Sequence, residues 1–345
     1  MKRLVRILAG TVAGITGALL FGELVLRLID LGHPYYSAPE AYVPKPAPNW
    51  LFALKPGFQG RSEGTWISVN SQGLRDGEYG AQPAPGTLRV LTLGDSVTFG
   101  PGVALEQTFS KVLERRLSAA DASRTYEVLN AGVVGYNTVQ ELTLFREVGT
   151  QYHPNLVVLT FLVNDLLDTF TIFDHQYEPE GRLAALKLWL RQESYLYRLV
   201  QNTYWQLAND ARRTGPPVEA TRPRARLEER QSEIVRLRDD VRGSGAELFL
   251  ALYPDNLEDA VSPGPDGESR TMRQEMLSFA ERAGIPVLDL TAVIGDVRDP
   301  RAREMRLRED PHPSVAGHAA IGNALASALQ SDGVLEAALP SAEHR

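Results

Sequence analysis

Four short stretches hold residue types that could perform acyl chemistry. The first is "GDS", Gly94-Asp95-Ser96, directly after the apolar-leaning run Val90 to Leu93. A serine hydroxyl there becomes a nucleophile if a base reaches it. The second is "REDPHPSVAGH", 308–318, where His312 follows Asp310 by two residues and Glu309 by three, with a proline on each side. A histidine beside a carboxylate can serve as that base. The third is "FLVNDLLD", 161–168, whose Asn164 amide can donate a hydrogen bond to a developing oxyanion. The fourth is "NAGVVGYNT", 130–138, where Gly132 and Gly135 let backbone N–H groups face a cavity. Each stretch also has a plain structural reading. Asp95, Ser96 and Asp165 are common helix caps, the glycine stretch could be an ordinary turn, and His312 could be a surface loop residue. Their order and their shared position at strand ends favour a common site. His318, inside the closing helix, reads as a packing or capping residue.

The elements that must carry these residues alternate. Strands are expected at 88–93, 125–133, 154–163, 246–254 and 285–291. Helices are expected near 106–119, 138–152, 227–245, 268–284 and 316–330. The run "PNLVVLTFLV" is apolar without alternation, as a strand covered on both faces should be. Strand–helix alternation implies a parallel sheet with helices on both sides, whose ligand edge is the carboxyl end of the strands. Residues 168–225 interrupt the rhythm and carry Phe170, Phe173, Tyr177, Trp189, Tyr195, Tyr197, Tyr204 and Trp205. They read as a helical insertion, either a lid over the strand ends or an extra layer on a sheet edge.

The N-terminus sets a separate expectation. Lys2, Arg3 and Arg6 precede a charge-free run from Ile7 to Gly22, and the apolar trend continues to Ile29, broken by Glu23 and Arg27. About 20 such residues cross a bilayer core as a helix. The basic flank predicts a cytoplasmic N-terminus and an extracytoplasmic body. A cleaved signal peptide is the rival reading, but no small-x-small site followed by a polar stretch is evident. The expected organisation is an anchor at 1–32 and a stalk and wrapping segment at 33–87 without regular elements in its proline-rich 33–62 part. A catalytic domain follows at 88–332 with its insertion, then a loose tail at 333–345. With 36 basic against 43 acidic residues, net charge −7, no nucleic-acid partner is expected. The absence of cysteine excludes disulfides, thiolate metal sites and a cysteine nucleophile. The six histidines show no zinc-ligand spacing, so neither a metal nor a cofactor is expected.

Taken together, the four stretches resemble the blocks of the SGNH (GDSL-like) hydrolase superfamily over about residues 88–330, and "VNSQGLRD", 69–76, resembles its membrane-anchored envelope members. The resemblance implies a three-layer α/β/α sandwich with a central parallel sheet. It implies Ser96 as nucleophile and His312 as base. Asp310 would orient the base, with Glu309 in reserve. The oxyanion hole would use the N–H groups of Ser96 and Gly135 and the Asn164 side chain. One departure is plain: Val163 and Leu162 stand where the family usually has a glycine just before, or two before, the asparagine. The expected function is a membrane-anchored serine esterase acting on O-acyl esters, acetyl among them, of envelope carbohydrate. An O-acyltransferase using the same pair, and an inactive binding protein of the same fold, are the alternatives.

Overall fold

The computed structural model describes residues 2–29, 38–45, 49–166, 183–200, 203–204, 223–254, 260–261, 270–295, 300–307, 312–331 and 333–338. The chain forms two compact units, one of Met1–Ser37 with Gln176–Thr221, the other of Ala38–His175 with Arg222–Arg345.

The larger unit is built on five parallel strands: β5 (Thr87–Gly94), β6 (Thr125–Gly132), β7 (Leu156–Phe161), β8 (Glu247–Leu252) and β11 (Val287–Asp289). Their spatial order is β11-β8-β7-β5-β6, every pair parallel. The chain therefore winds one way from β5 to β6 and the other way from β5 through β7. That reversal makes a crevice at the carboxyl ends of β5 and β7, the usual ligand position in open α/β sheets. All six residues of β7 are buried, the signature of a strand covered on both faces.

Helices cover both faces. On one side α3 (Phe109–Ala120) and α10 (Val315–Ser331) close a core that includes Val90, Val128, Val158, Phe249, Leu113 and Leu325. On the other, α4 (Thr138–Glu147), α7 (Pro223–Gly243) and α8 (Met272–Ala283) pack near β5, β8 and β11. The short helices α2 (Ser96–Phe99) and α9 (Thr291–Ile294) follow β5 and β11, and β9 (Ala260–Val261) pairs with β10 (Arg270–Thr271). The fold is the expected sandwich, and the expected strands and helices differ from it only at their ends.

Two expectations need correction. The proline-rich segment contains β1 (Tyr42–Pro44) paired antiparallel with β2 (Phe52–Leu54), and β3 (Gln59–Ser62) paired with β4 (Thr65–Ser68). Strands of three or four residues are too short to show a period, yet the hairpin is held by packing. Phe52 meets Tyr42 edge-on at 5.8 Å and Tyr136 at 5.1 Å. The tail expected to be loose from 333 begins with α11 (Val334–Ala337), whose Val334 and Leu335 join the core, as does Ala338.

The smaller unit contains α1 (Lys2–Leu28), a 27-residue apolar helix long enough to cross a membrane. It also contains α5 (Ala184–Glu193) and α6, residues 195–200. The remaining described residues of the 168–225 insertion belong to this unit or begin α7. Phe170, Phe173, Tyr177 and Trp205 lie outside the described residues.

Candidate active site

Strand β5 ends at Gly94, opposite Gly132 in register, and the chain turns at once into α2. A Cβ on Gly94 would lie 2.1 Å from Thr98 Oγ1. Asp95 is the N-cap of α2: its Oδ1 accepts the Val97 N–H at 3.0 Å, as the sequence suggested. Ser96, the first residue of α2, is 7% exposed.

His312 approaches from the far end of the chain. Its carbonyl accepts the Leu307 N–H at 2.8 Å, and Ser314 N–H donates to Met305 O at 2.9 Å. The Ser314 hydroxyl accepts the Gly317 N–H at 3.2 Å, starting α10. This places His312 Nε2 2.6 Å from Ser96 Oγ, across 216 positions of sequence. Ser96 Oγ is also 3.2 Å from Asp95 Oδ2. The hydroxyl has one proton, so an unprotonated Nε2 takes it over the shorter path, and a protonated imidazole turns it toward Asp95. Asp310 and Glu309 lie outside the described residues.

Asn164 sits on a 3-10 turn, Val163–Leu166, after β7. Its Nδ2 donates to Asp95 Oδ2 at 2.5 Å. Asp95 Oδ2 thus faces both the Ser96 hydroxyl and the Asn164 amide. Arg226 and Arg230 of α7 hold the same turn, donating to Leu166 O at 3.0 Å and Asp165 O at 2.6 Å. Leu162, at a family glycine position, is buried in the core, and Val163 is half-buried. Gly135 lies in the turn after β6 with φ 80°, a backbone conformation suited to glycine. That turn is tied to β5 by Val133 N–H to Gly94 O at 3.1 Å. It is tied to the wrapping segment by Tyr136, whose hydroxyl donates to Phe52 O and accepts from Trp50 Nε1 at 2.9 Å.

The structure therefore brings Ser96, His312 and Asn164 into one constellation through Asp95, and carries Gly135 at the same sheet edge. His318 is elsewhere: its Nδ1 accepts the Phe109 N–H at 3.1 Å at the start of α3. Burial, with the charges of Arg75 and His312, pushes its pKa down to about 3, so it stays neutral as a cap.

Three supporting residues lie in segments the sequence singled out without giving them a role. Arg75, 1% exposed, donates to Phe99 O, Gly100 O and Val103 O, fixing the loop that follows α2. Asn130 donates through Nδ2 to Thr98 O at 2.9 Å and accepts the Gly132 N–H at 3.0 Å. Asp76 accepts the Asn130 N–H at 2.8 Å and pairs with Lys111 at 2.9 Å. The "GLRD" of 73–76 is thus a brace behind the Gly94–Ser96 turn. An arginine–aspartate pair inside an otherwise turn-like segment was the available signal.

Beneath the site lie two buried carboxyl groups. Asp165 accepts the Leu162 N–H at 2.8 Å and the Thr138 hydroxyl at 3.1 Å. Burial and the Asp95 charge nevertheless push its pKa up to about 7. Burial, then Asp165 and Asp95, push Glu141 well above the ordinary carboxylate range. The folded chain keeps protons that the unfolded chain releases near pH 4. Stability is then fully present at acid pH and is lost as pH rises toward 7. For Asp165 the full loss, from about pH 4 to above pH 7, is on the order of 4 kcal/mol. Urea unfolding at about pH 5 and about pH 7.5 should show this fall, and Asp165→Asn should flatten it. An unchanged slope in the variant would contradict the assignment.

The arrangement can pass a proton between a hydroxyl and an imidazole beside a fixed amide donor, at the edge where a βαβ sheet opens. Residues 92–320 match the model of the GDSL-like Lipase/Acylhydrolase family. Similar solved structures include a catalytic mutant of the acetylxylan esterase Axe2 from Geobacillus stearothermophilus, with 17% identity over 70% of this chain and 94% of that one, TM-score 0.43. The psychrotrophic esterase EstA from Pseudoalteromonas sp. is 15% identical over 70% of this chain and 97% of that one, TM-score 0.41. The lipase/acylhydrolase from Enterococcus faecalis is 14% identical over 71% and 96%, TM-score 0.41. No curated protein matches the chain. A family model matched over more than half of the chain places it in the GDSL-like lipase/acylhydrolase family.

Proposed function

We propose that the protein is a membrane-anchored serine esterase in which Ser96 is the nucleophile and His312 the general base. The observation that carries this reading is the 2.6 Å approach of His312 Nε2 to Ser96 Oγ at the sheet's crevice. Ser96 Oγ attacks the ester carbonyl carbon while its proton passes to Nε2. The alkoxide then leaves with that proton, giving an acyl-serine. Water, deprotonated by His312, attacks the acyl-serine, and the proton returns to Ser96 Oγ as the carboxylic acid departs. Asp310 orients the imidazole, with Glu309 in reserve. The N–H groups of Ser96 and Gly135 and the Asn164 amide receive the oxyanion.

Asp95 is a positioning residue in this scheme. By accepting one Asn164 N–H it leaves the other free to turn toward the developing charge. Loss of one oxyanion donor costs about 10²–10³ in kcat. Asn164→Ala and Asp95→Ala should each fall in that range, and the double variant should lose little more than the worse single one. Independent, multiplying losses would show that the two side chains do not act together.

Helix α1 serves as an uncleaved anchor. Lys2, Arg3 and Arg6 mark its cytoplasmic end, and the catalytic body lies on the extracytoplasmic side. That location points to O-acyl groups of envelope carbohydrate, acetyl among them, as substrate. The test is a panel of aryl esters from acetyl to long-chain acyl and acetylated polysaccharide, supplied to the full chain. Turnover confined to short acyl groups and release of acetate from the polysaccharide support the reading. Transfer of the acyl group to added oligosaccharide in place of water would make the protein a transferase, and no turnover at all would overturn the enzyme.

A further inference from the structure

The anchor reading has a consequence for the insertion. Glu23, in the last turns of α1, accepts hydrogen bonds from Ser194 Oγ at 2.9 Å, Tyr195 N–H at 3.0 Å and Leu196 N–H at 2.9 Å. Ser194 is the N-cap of α6, since its hydroxyl also accepts the Tyr197 N–H at 3.1 Å. Arg27 pairs with Glu23 at 2.8 Å, donates to Glu193 O at the end of α5, and lies 5.2 Å over the Tyr195 ring. The Glu23–Arg27 pair is therefore more than a helical ion pair. It is a clamp holding the α5–α6 junction to one level of α1.

That level is set by the sequence. The charge-free run from Ile7 to Gly22 is about 24 Å long as a helix, most of a bilayer's hydrocarbon core of about 30 Å, with Arg6 at its near end able to reach the interface. The first of its two threonines, Thr11, donates back to Ile7 O at 3.0 Å. Glu23 is the next residue after the run. The junction it holds thus sits where α1 leaves the hydrocarbon. Around that junction apolar side chains face outward: Leu183 and Leu186, one turn apart, then Trp189, Val200 and Tyr204, each about half or more exposed. Leu24 and Leu28 on α1 are exposed beside them. Tryptophan and tyrosine favour the headgroup level, where one end of the ring is wet and the other apolar.

We propose that residues 183–200, with 203–204, form a second membrane-contacting element, a pair of interfacial helices lying on the lipid surface at the outer end of α1 and held there by Glu23 and Arg27. The occupant of the exposed apolar face is the bilayer, because that face continues the surface of a helix that is uncovered at every residue from 2 to 21. The inference rests on α1 spanning the membrane.

The chain lacks cysteine, so single cysteines can be introduced and labelled with an environment-sensitive fluorophore. The full chain would be reconstituted in phosphatidylcholine–phosphatidylglycerol vesicles. Leu186→Cys and Val200→Cys should lose about twofold in emission with a shallow nitroxide lipid, as interfacial depth requires. Val12→Cys should respond to a deep nitroxide lipid, and Ser123→Cys, exposed in the larger unit, supplies the solvent baseline. Glu23→Ala should reduce quenching at 186 and leave position 12 unchanged. Quenching at 12 with solvent-like values at 186 and 200 would overturn the interfacial element while sparing the anchor. No quenching at 12 would overturn the anchor reading and this inference with it. A blue-shifted label at 186 that lipid does not quench would identify protein, such as a second copy of the chain, as the cover.

Discussion

Ser96→Ala is expected to lower kcat on an activated ester by about four orders of magnitude or more, the scale of losing a nucleophile from a serine–histidine pair. Ser96 Oγ is the hydroxyl within 2.6 Å of His312 Nε2. The variant should remain folded, because the cap of α2 is made by the Asp95 carboxylate and not by the serine side chain. Residual rate would come from the remaining donors acting on bound ester. The checks are single-turnover kinetics and a urea midpoint close to that of the parent. A variant that keeps more than about a tenth of the activity would remove Ser96 from the chemistry, since that loss is only about 1.4 kcal/mol of barrier.

The second large effect is structural and lies behind Ser96. Gly132→Ala is expected to destabilise the larger unit by about 3 kcal/mol or more, at the upper end of the usual cost of core overpacking because backbone must move. A Cβ at 132 would stand 2.1 Å from Phe99 N and 2.5 Å from Thr98 C. Both are backbone atoms of α2 and cannot rotate aside. The strain can be relieved only by moving α2, and α2 begins with Ser96. Activity should therefore fall along with the urea midpoint. Gly77→Ala is the control: nothing lies within 4 Å of a Cβ there, and the midpoint should hardly move. Equal midpoints for the two variants would mean that the approach of β6 to α2 is looser than described.

Much of this was legible in the sequence, for identifiable reasons. A strand buried on both faces has to be apolar throughout, so Leu156–Phe161 declared itself without a partner. The carboxyl ends of β5, β6 and β7 are where a parallel sheet presents side chains, so Ser96, Gly135 and Asn164 stood out by position. His312 stood out by its proline-flanked loop late in the chain. Other features depend on partners distant in sequence. Asp95 reads as a cap, and it is one, but its second oxygen meets Asn164, 69 residues away. Arg75 and Asn130 look like ordinary turn and strand-end polar residues until α2 lies between them. The 42–54 hairpin is too short for periodicity, and aromatic packing on Tyr136 makes it regular. Glu23 and Arg27 read as charges breaking an apolar helix, because their bonds to Ser194 and Glu193 belong to tertiary structure.

The central claim is that the hydroxyl at 96 and the imidazole at 312 act as one chemical unit. Peptide mapping of the full chain after treatment with a fluorophosphonate tests it most directly. The expected result is one phosphonyl adduct, on the peptide containing Ser96, that is lost or strongly slowed in His312→Ala. An adduct on another residue, or labelling of Ser96 at the parental rate without His312, would contradict it.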